Sequence, residues 1–196
     1  TMLKAIDIES NYVMVHAGAN KPNIITQFPS NQFNHMILCV PNEQDTIWLE
    51  CTSQDNPFGY LGSFTGNRDV LVVNDTGGKI AHTKTYRKED NVQNQKAIVV
   101  VNEKGAATAS LFIHCTGLQY ENLNRLVDIG ETKQKKWLHD NLDLPDFRLI
   151  DFNIREQKLI IPEVKANINI SMNRIASVSG KRIFFQPNLL NKFSSI

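Results

Sequence analysis

Apolar and β-branched residues occur along the chain in short runs that polar turns separate, a pattern typical of β-strands. In the first half, the runs predict strands at residues 11–17, 34–40, 45–51, 69–74 and 79–84. In the second half, they predict strands at 96–101, 107–115, 147–154 and 181–186, and one at 158–171 that Pro162 interrupts. Because short turns join neighbouring runs, the sequence predicts mainly antiparallel β structure.

Two segments of the second half carry apolar residues at helical spacing instead. One is 118–129, where Leu126 lies on the apolar face, and the other is 132–142, where Leu138 does so. Residues 2–8 are typical of the last turn of a helix, and too few residues precede them for a stable helix of their own. We therefore expect an α+β fold, mainly antiparallel β, with one or two short helices, and a chain that begins inside a structural element.

A charged segment without apolar periodicity, residues 85–93, predicts a boundary between two domains. We place the first domain at 1–88 and a β-rich, sandwich-like second domain at 89–196. The charge balance agrees with this division. Residues 1–92 hold 7 basic and 10 acidic side chains, whereas residues 93–196 hold 14 basic and 10 acidic ones.

The composition excludes several classes of function. The net charge of +1 gives no reason to expect nucleic acid or an anionic membrane as a partner. No apolar run approaches the roughly 18 residues of a transmembrane helix, and the sequence carries no secretory signal. The three cysteines show no C-x-x-C spacing, and His16 and His82 do not stand at the spacing of metal-binding motifs. The sequence therefore predicts neither a metal site nor a cofactor.

The strands at 34–40 and 45–51 bring a histidine and a carboxylate together. If they form a hairpin with its turn at 41–44, His35 lies directly opposite Glu50. Directly opposed side chains share a face of the sheet, with Cβ atoms roughly 4.5–5.5 Å apart. A carboxylate there orients the imidazole through one nitrogen and leaves the other nitrogen as a base. The alternative is an ordinary surface salt bridge, which contributes about 0–1 kcal/mol.

Residues 34–62 resemble the second half of a transglutaminase-like catalytic core, in the papain-related superfamily of cysteine enzymes. In that family a histidine opens one strand and an acid closes the next, at the 15-residue spacing found between His35 and Glu50. The family's Trp-x-Leu-Asp-Pro-Thr stretch corresponds to WLECTS at 48–53, so Glu50 replaces the usual aspartate. The stretches PFGYLG at 57–62 and KRIFFQ at 181–186 are similar to bacterial members in which a β-rich domain follows the core.

The resemblance implies a catalytic role for His35 as the base and for Glu50 as the group that orients it, with Trp48 shielding the ring or simply packing on the strand. It also implies a cysteine nucleophile upstream of Thr1, so that this chain would be an inactive fragment of a larger enzyme. The substrate of that enzyme would be a peptide or protein, cleaved or transferred at an amide bond. Relatives of this kind are exported proteins, which implies a periplasmic or cell-surface location.

None of the three cysteines is expected to serve as the nucleophile. Cys39 shares the face of His35 but stands about 13 Å along the strand at ~3.3 Å per residue. Cys51 follows Glu50 and so points to the opposite face, and Cys115 lies in the second domain. We expect all three to be inert thiols.

A second hypothesis belongs to another class of function. The chain would then come from a non-catalytic binding or scaffold protein of the bacterial envelope that retains the fold. In either case, the absence of the upstream helix predicts an exposed apolar patch near Tyr12, Met14 and the His35 strand, through which copies would self-associate.

Overall fold

The structure is a computed structural model that describes residues 2–42, 45–144, 146–188 and 190. The chain divides into two compact units, residues 1–91 with 158–162 and residues 92–157 with 163–196. Every strand pairing is antiparallel, and the helices are few and short. The α+β class with mainly antiparallel β structure is therefore confirmed.

The first unit contains a five-stranded sheet. Its strands are β1 (Asn11–Val15), β2 (His35–Val40), β3 (Ile47–Leu49), β4 (Asp69–Asn74) and β5 (Gly77–His82), in the order β3-β2-β1-β4-β5. A four-residue helix, α1 (Gly62–Thr65), precedes β4. The helical turn expected at residues 2–8 is a 3₁₀ turn at Lys4–Ile6. It ends there because Asp7 adopts the left-handed conformation, with φ of 59°.

Alternation along the strands buries one face of this sheet. Val13 and Val15 of β1 and Ile37 and Cys39 of β2 all point into the core, where they meet Trp48. Successive strand side chains point to opposite faces, so the residues between them form the other face. The period-2 pattern that predicted the strands therefore also predicted which side chains form the core.

The opposite face of the same sheet is apolar yet accessible. Tyr12 is 48% exposed and Met36 is 50% exposed, and Val73 and Ile80 continue the surface on β4 and β5. Strand pairing joins them, since Tyr12 lies beside Val73 and Met14 beside Met36. We call Tyr12, Met14, Met36, Val73 and Ile80 the outer apolar face. This exposed surface lies where the sequence predicted it.

A buried arginine connects the segments around this sheet. Arg68 is only 7% exposed, and its guanidinium donates hydrogen bonds of 2.5–3.2 Å to the carbonyl oxygens of His16, Gly18, Ser63 and Gly66. Burial lowers the pKa of Arg68. The guanidinium thereby satisfies four backbone acceptors. Two lie in the loop after β1, one lies in α1 and one follows α1.

The second unit is built on a four-stranded sheet. Its strands are β6 (Gln93–Val101), β7 (Ala107–Thr116), β8 (Phe147–Gln157) and β9 (Glu163–Met172), in the order β6-β7-β9-β8, and a separate hairpin pairs β10 (Ala176–Ser179) with β11 (Arg182–Phe185). An 11-residue helix, α2 (Glu131–Asn141), confirms the second predicted helix to within one residue at each end. Strand β9 begins after Pro162, not at 158, because proline has no N–H to donate to a sheet.

The core of the second unit lies between the sheet and helix α2. Leu138 of α2 packs against Leu111 of β7 and Ile168 and Ile170 of β9, all buried. The layer that faces the sheet in this core is therefore helical, where the sequence analysis expected a sandwich-like arrangement. Trp137 adds a partly buried ring from the same helix.

The prediction of one continuous helix at 118–129 is wrong. Two 3₁₀ helices, Gly117–Asn122 and Asn124–Leu126, take its place. The buried side chains are Tyr120, Leu123 and Leu126, which recur every third residue. A 3₁₀ helix has three residues per turn, so this spacing keeps all three side chains on one side, whereas an α-helix would rotate them apart.

Candidate functional site

His35 and Glu50 are in direct contact in the first unit. The distance from His35 Nε2 to Glu50 Oε2 is 2.9 Å, and the distance to Oε1 is 3.1 Å. His35 is the first residue of β2, and Glu50 follows the last residue of β3. The His35 side chain is 16% exposed and that of Glu50 is 2% exposed. This burial distinguishes the pair from solvent-exposed salt bridges, which contribute little to stability.

The strand register behind this contact differs from the predicted one. Leu38 lies beside Leu49 and Cys39 beside Trp48, so the strand opposite β2 is displaced by two residues from the predicted alignment. Extending this register by one residue beyond β3 puts Glu50 level with Ile37, so that His35 reaches it diagonally. A displacement of two residues keeps every side chain on its face, and diagonal neighbours roughly 7–8 Å apart stay within reach of long side chains. The contact therefore forms although the predicted register is wrong.

Thr52 holds the carboxylate from its other side. Its backbone N–H donates to Glu50 Oε1 at 3.1 Å, and its hydroxyl donates to the same oxygen at 2.6 Å. An ionised carboxylate only accepts hydrogen bonds, so His35 Nε2 must carry the proton in this arrangement. In the neutral ring Nδ1 is then unprotonated, and within the described residues it has no hydrogen-bond partner.

Phe64 packs its ring on the imidazole. The two ring centroids are 5.1 Å apart, with an interplanar angle of 67°. Phe64 belongs to helix α1 and is itself 46% exposed. Trp48 is on the His35 face, as the sequence predicted, and is buried in the core beside Cys39. Its supporting role stays a prediction.

The three cysteines lack the environment of a nucleophile. Cys39 and Cys115 are buried free thiols, and Cys51 is an exposed one. Burial raises the pKa of Cys39 and Cys115, whereas partial desolvation of its sulfur and the charge of Glu50 raise the pKa of Cys51. A reactive cysteine needs the opposite, a pKa lowered by nearby positive charge or a helix N-terminus.

A second imidazole–carboxylate pair lies in the same unit. His82 Nδ1 is 2.7 Å from Asp69 Oδ1, and His82 Nε2 is 3.2 Å from Asn67 Oδ1. Both ring nitrogens are therefore engaged, and the side chain of His82 is 47% exposed. This pair lacks a ring nitrogen open to a further group, so it serves as a natural control for His35.

The second unit contains a third pair on its sheet. His114 Nε2 is 2.8 Å from Glu163 Oε2, and Lys165 Nζ is 2.5 Å from Glu163 Oε1. The hydrogen bond from Lys165, with a smaller contribution from His114, lowers the pKa of Glu163. Across the described part of the chain, no group of three or more His, Cys, Asp or Glu side chains could hold a metal ion.

Comparisons with models of protein families, with curated proteins and with solved structures found no match to this chain. The transglutaminase-like resemblance therefore stays a prediction from the sequence. Helices with both the length and the hydrophobicity to cross a membrane are absent from the described residues.

Proposed function

We propose that His35 and Glu50 are the base and its orienting acid in a transglutaminase-like cysteine enzyme that hydrolyses or transfers acyl groups at amide bonds. The observation that carries the proposal is their contact: a shielded carboxylate binds one ring nitrogen and leaves the other with no partner among the described residues. Such a pair is two-thirds of a nucleophile–base–acid constellation. The third part is a reactive thiol, and none of the three described cysteines has the environment of one.

The proposed chemistry begins with a thiol placed beside His35 Nδ1. Nδ1 takes the thiol proton, and the thiolate attacks the amide carbonyl carbon to form a tetrahedral intermediate. The imidazolium returns its proton to the leaving amine as the C–N bond breaks, which leaves a thioester. Water or a second amine then attacks that thioester while His35 takes the proton of the attacking group, and the C–S bond breaks to release the acyl product and the thiolate, which His35 reprotonates. Glu50, itself held by hydrogen bonds from Thr52, orients the ring throughout.

Nitrogen NMR of the His35 ring tests the orienting half of the proposal. In the wild-type chain at a pH where the ring is neutral, we expect the Nε2–H tautomer, because Glu50 can only accept. In Glu50→Leu the constraint is lost and the two tautomers become mixed. Asp69→Leu, beside His82, is the matched control and should leave the His35 signals unchanged. A wild-type ring protonated on Nδ1 contradicts the proposal.

An activity assay tests the missing nucleophile. We expect the 196-residue chain alone to hydrolyse no peptide or aryl-amide substrate, because loss of a nucleophile lowers the rate on the order of 10⁶-fold. Adding a small thiol should restore thiol-dependent acyl release above the rate without protein, and His35→Ala should abolish it while His82→Ala does not. Turnover without added thiol that His35→Ala abolishes would show that this chain is itself a complete enzyme.

The second candidate is a non-catalytic binding or scaffold protein with the same fold. The raised pKa of every thiol and the outer apolar face favour it. The coding sequence upstream of Thr1 discriminates between the two functions. A cysteine at the start of a helix shortly before Thr1 supports the enzyme, and an upstream sequence without such a cysteine supports the scaffold.

A further inference from the structure

A cavity of about 700 Å³ lies in the second unit, between the inward face of its sheet and helix α2. One row of inward side chains runs across all four strands beneath it: Gln95, Ile113, Ala166 and Ile154. Ala166 stands in the middle of the row, flanked by two isoleucines. Its short side chain leaves the space over the sheet unfilled, which explains why the cavity forms at this row.

The walls of the cavity are largely apolar. Ile113, Ile154 and Ile168 line it from the sheet, and Trp137 and Leu138 line it from α2. A volume of this size and an apolar wall with a few polar groups are typical of small-molecule sites.

One polar atom in this wall is unsatisfied. Gln95 Oε1 is buried and has no hydrogen-bond partner among the described residues. Buried side-chain oxygens in native proteins are nearly always paired, because burial without a partner loses the hydrogen bond to water. Gln95 occupies an inward position of β6, beside the apolar Ile113. An apolar residue there would cost less, so the unpaired oxygen points to a missing donor.

The charges around the cavity limit the kind of ligand. Arg125 and Asp143 both line it, and both are exposed. One positive and one negative group together give no net preference for an anion or a cation. A neutral molecule fits this wall better than a charged one.

We propose that this cavity is a binding site for a small, neutral, largely apolar molecule whose N–H or O–H group donates a hydrogen bond to Gln95 Oε1. The apolar body fills the space over Ala166 and contacts Trp137. The site lies in the second unit, so it is independent of the His35–Glu50 pair and of the function proposed for that pair.

Indole and indene are suitable probes, because they have nearly the same shape and only indole carries an N–H donor. The measurement is heteronuclear NMR of the ¹⁵N-labelled chain, titrated with each unlabelled compound. We expect both to shift the Trp137 indole signal and to leave that of Trp48 in place. Indole should bind roughly tenfold more tightly, the value of one hydrogen bond to a buried, otherwise unpaired group.

Three variants locate the site. Gln95→Leu should remove the preference for indole, so that the two compounds bind equally, while Gln157→Leu, the same change at an exposed position, keeps the tenfold difference. Ala166→Leu should weaken both compounds at least tenfold by filling the cavity. If Gln95→Leu does not fold, Gln95→Met carries the same test.

Two results overturn the proposal. If neither compound shifts Trp137 up to its solubility, the cavity does not bind small apolar molecules. If both bind the wild-type chain equally, Gln95 is not the anchor and the proposed donor requirement is wrong.

Discussion

Replacing Arg68 by methionine should destabilise the first unit more than any surface substitution. Methionine keeps most of the apolar volume but removes every donor, so four backbone carbonyls in two segments lose their hydrogen bonds. Hydrogen bonds to a charged group contribute about 1.5–3 kcal/mol each, but they share one guanidinium and do not add. Methionine also avoids burying a charge, which offsets part of the loss. We expect a net loss of about 3–5 kcal/mol in the free energy of unfolding.

Urea unfolding measures this loss if the two units are followed separately. Trp48 is buried in the first unit and Trp137 lies in the second, so the experiment uses a Trp137→Phe background and the fluorescence of Trp48. The midpoint should fall while the slope m stays constant, as expected for a change in stability alone. Arg87→Met, at an exposed position of the same unit, should change stability by less than about 0.5 kcal/mol.

The result that would refute this reasoning is a loss below about 1 kcal/mol for Arg68→Met, within the range of ordinary substitutions. It would mean that water or neighbouring donors satisfy the carbonyls once the guanidinium is gone. Arg68→Lys should give an intermediate loss in the free energy of unfolding, because lysine keeps the charge but offers a single ammonium in place of a fork of five N–H donors.

Three further predictions concern other parts of the chain. Burial and the hydrogen bond to Glu156 raise the pKa of Tyr120 in the folded chain. Because an unfolded tyrosine ionises near pH 10, the free energy of unfolding should fall as pH rises above about 10. Urea titrations across pH 8–12 should show a weaker pH dependence for Tyr120→Phe. Cys51 should react with an aromatic disulfide reagent in the folded chain, and the other two thiols only after unfolding, because they are buried; three equal fast phases would contradict the burial. Gly105→Ala should destabilise the second unit in thermal unfolding by at least about 1 kcal/mol, since φ is +80° there and the added Cβ would lie 2.5 Å from the Ala176 carbonyl oxygen.

The sequence pattern predicted the strands and their faces well, and it predicted the strand register poorly. The alternation of apolar and polar residues has a period of two, so it shows which face of the sheet a side chain occupies. It does not show which residue of the neighbouring strand lies opposite. Register depends on the turn between the strands, and the composition of the predicted turn, PNEQ at 41–44, does not specify a loop length. The predicted His35–Glu50 contact still forms because a two-residue displacement keeps both side chains on the same face. The glutamate side chain is long enough to bridge the displacement.

The groups that complete the site come from segments without periodicity, and this is why sequence reasoning missed them. Phe64 lies in a four-residue helix within a glycine-rich stretch, so nothing in the local sequence placed it over His35. Thr52 carried a weak signal, a hydroxyl two residues after an acid, which often returns a hydrogen bond to it. Gln95 carried no signal of this kind, because the predicted strand began at residue 96 and strand β6 begins at Gln93.

The diagonal contact between His35 and Glu50 links acid length to strand alignment. An aspartate at position 50 would be shorter by one carbon–carbon bond, ~1.5 Å, and could not span the offset between the two rungs. In a hairpin aligned two residues differently, the shorter acid would suffice and glutamate would crowd the ring. Which of these two acids can reach His35 from position 50 therefore depends on how β2 and β3 are aligned. A Glu50→Asp chain, whose charge is unchanged, would be repaired by changing the turn between the two strands.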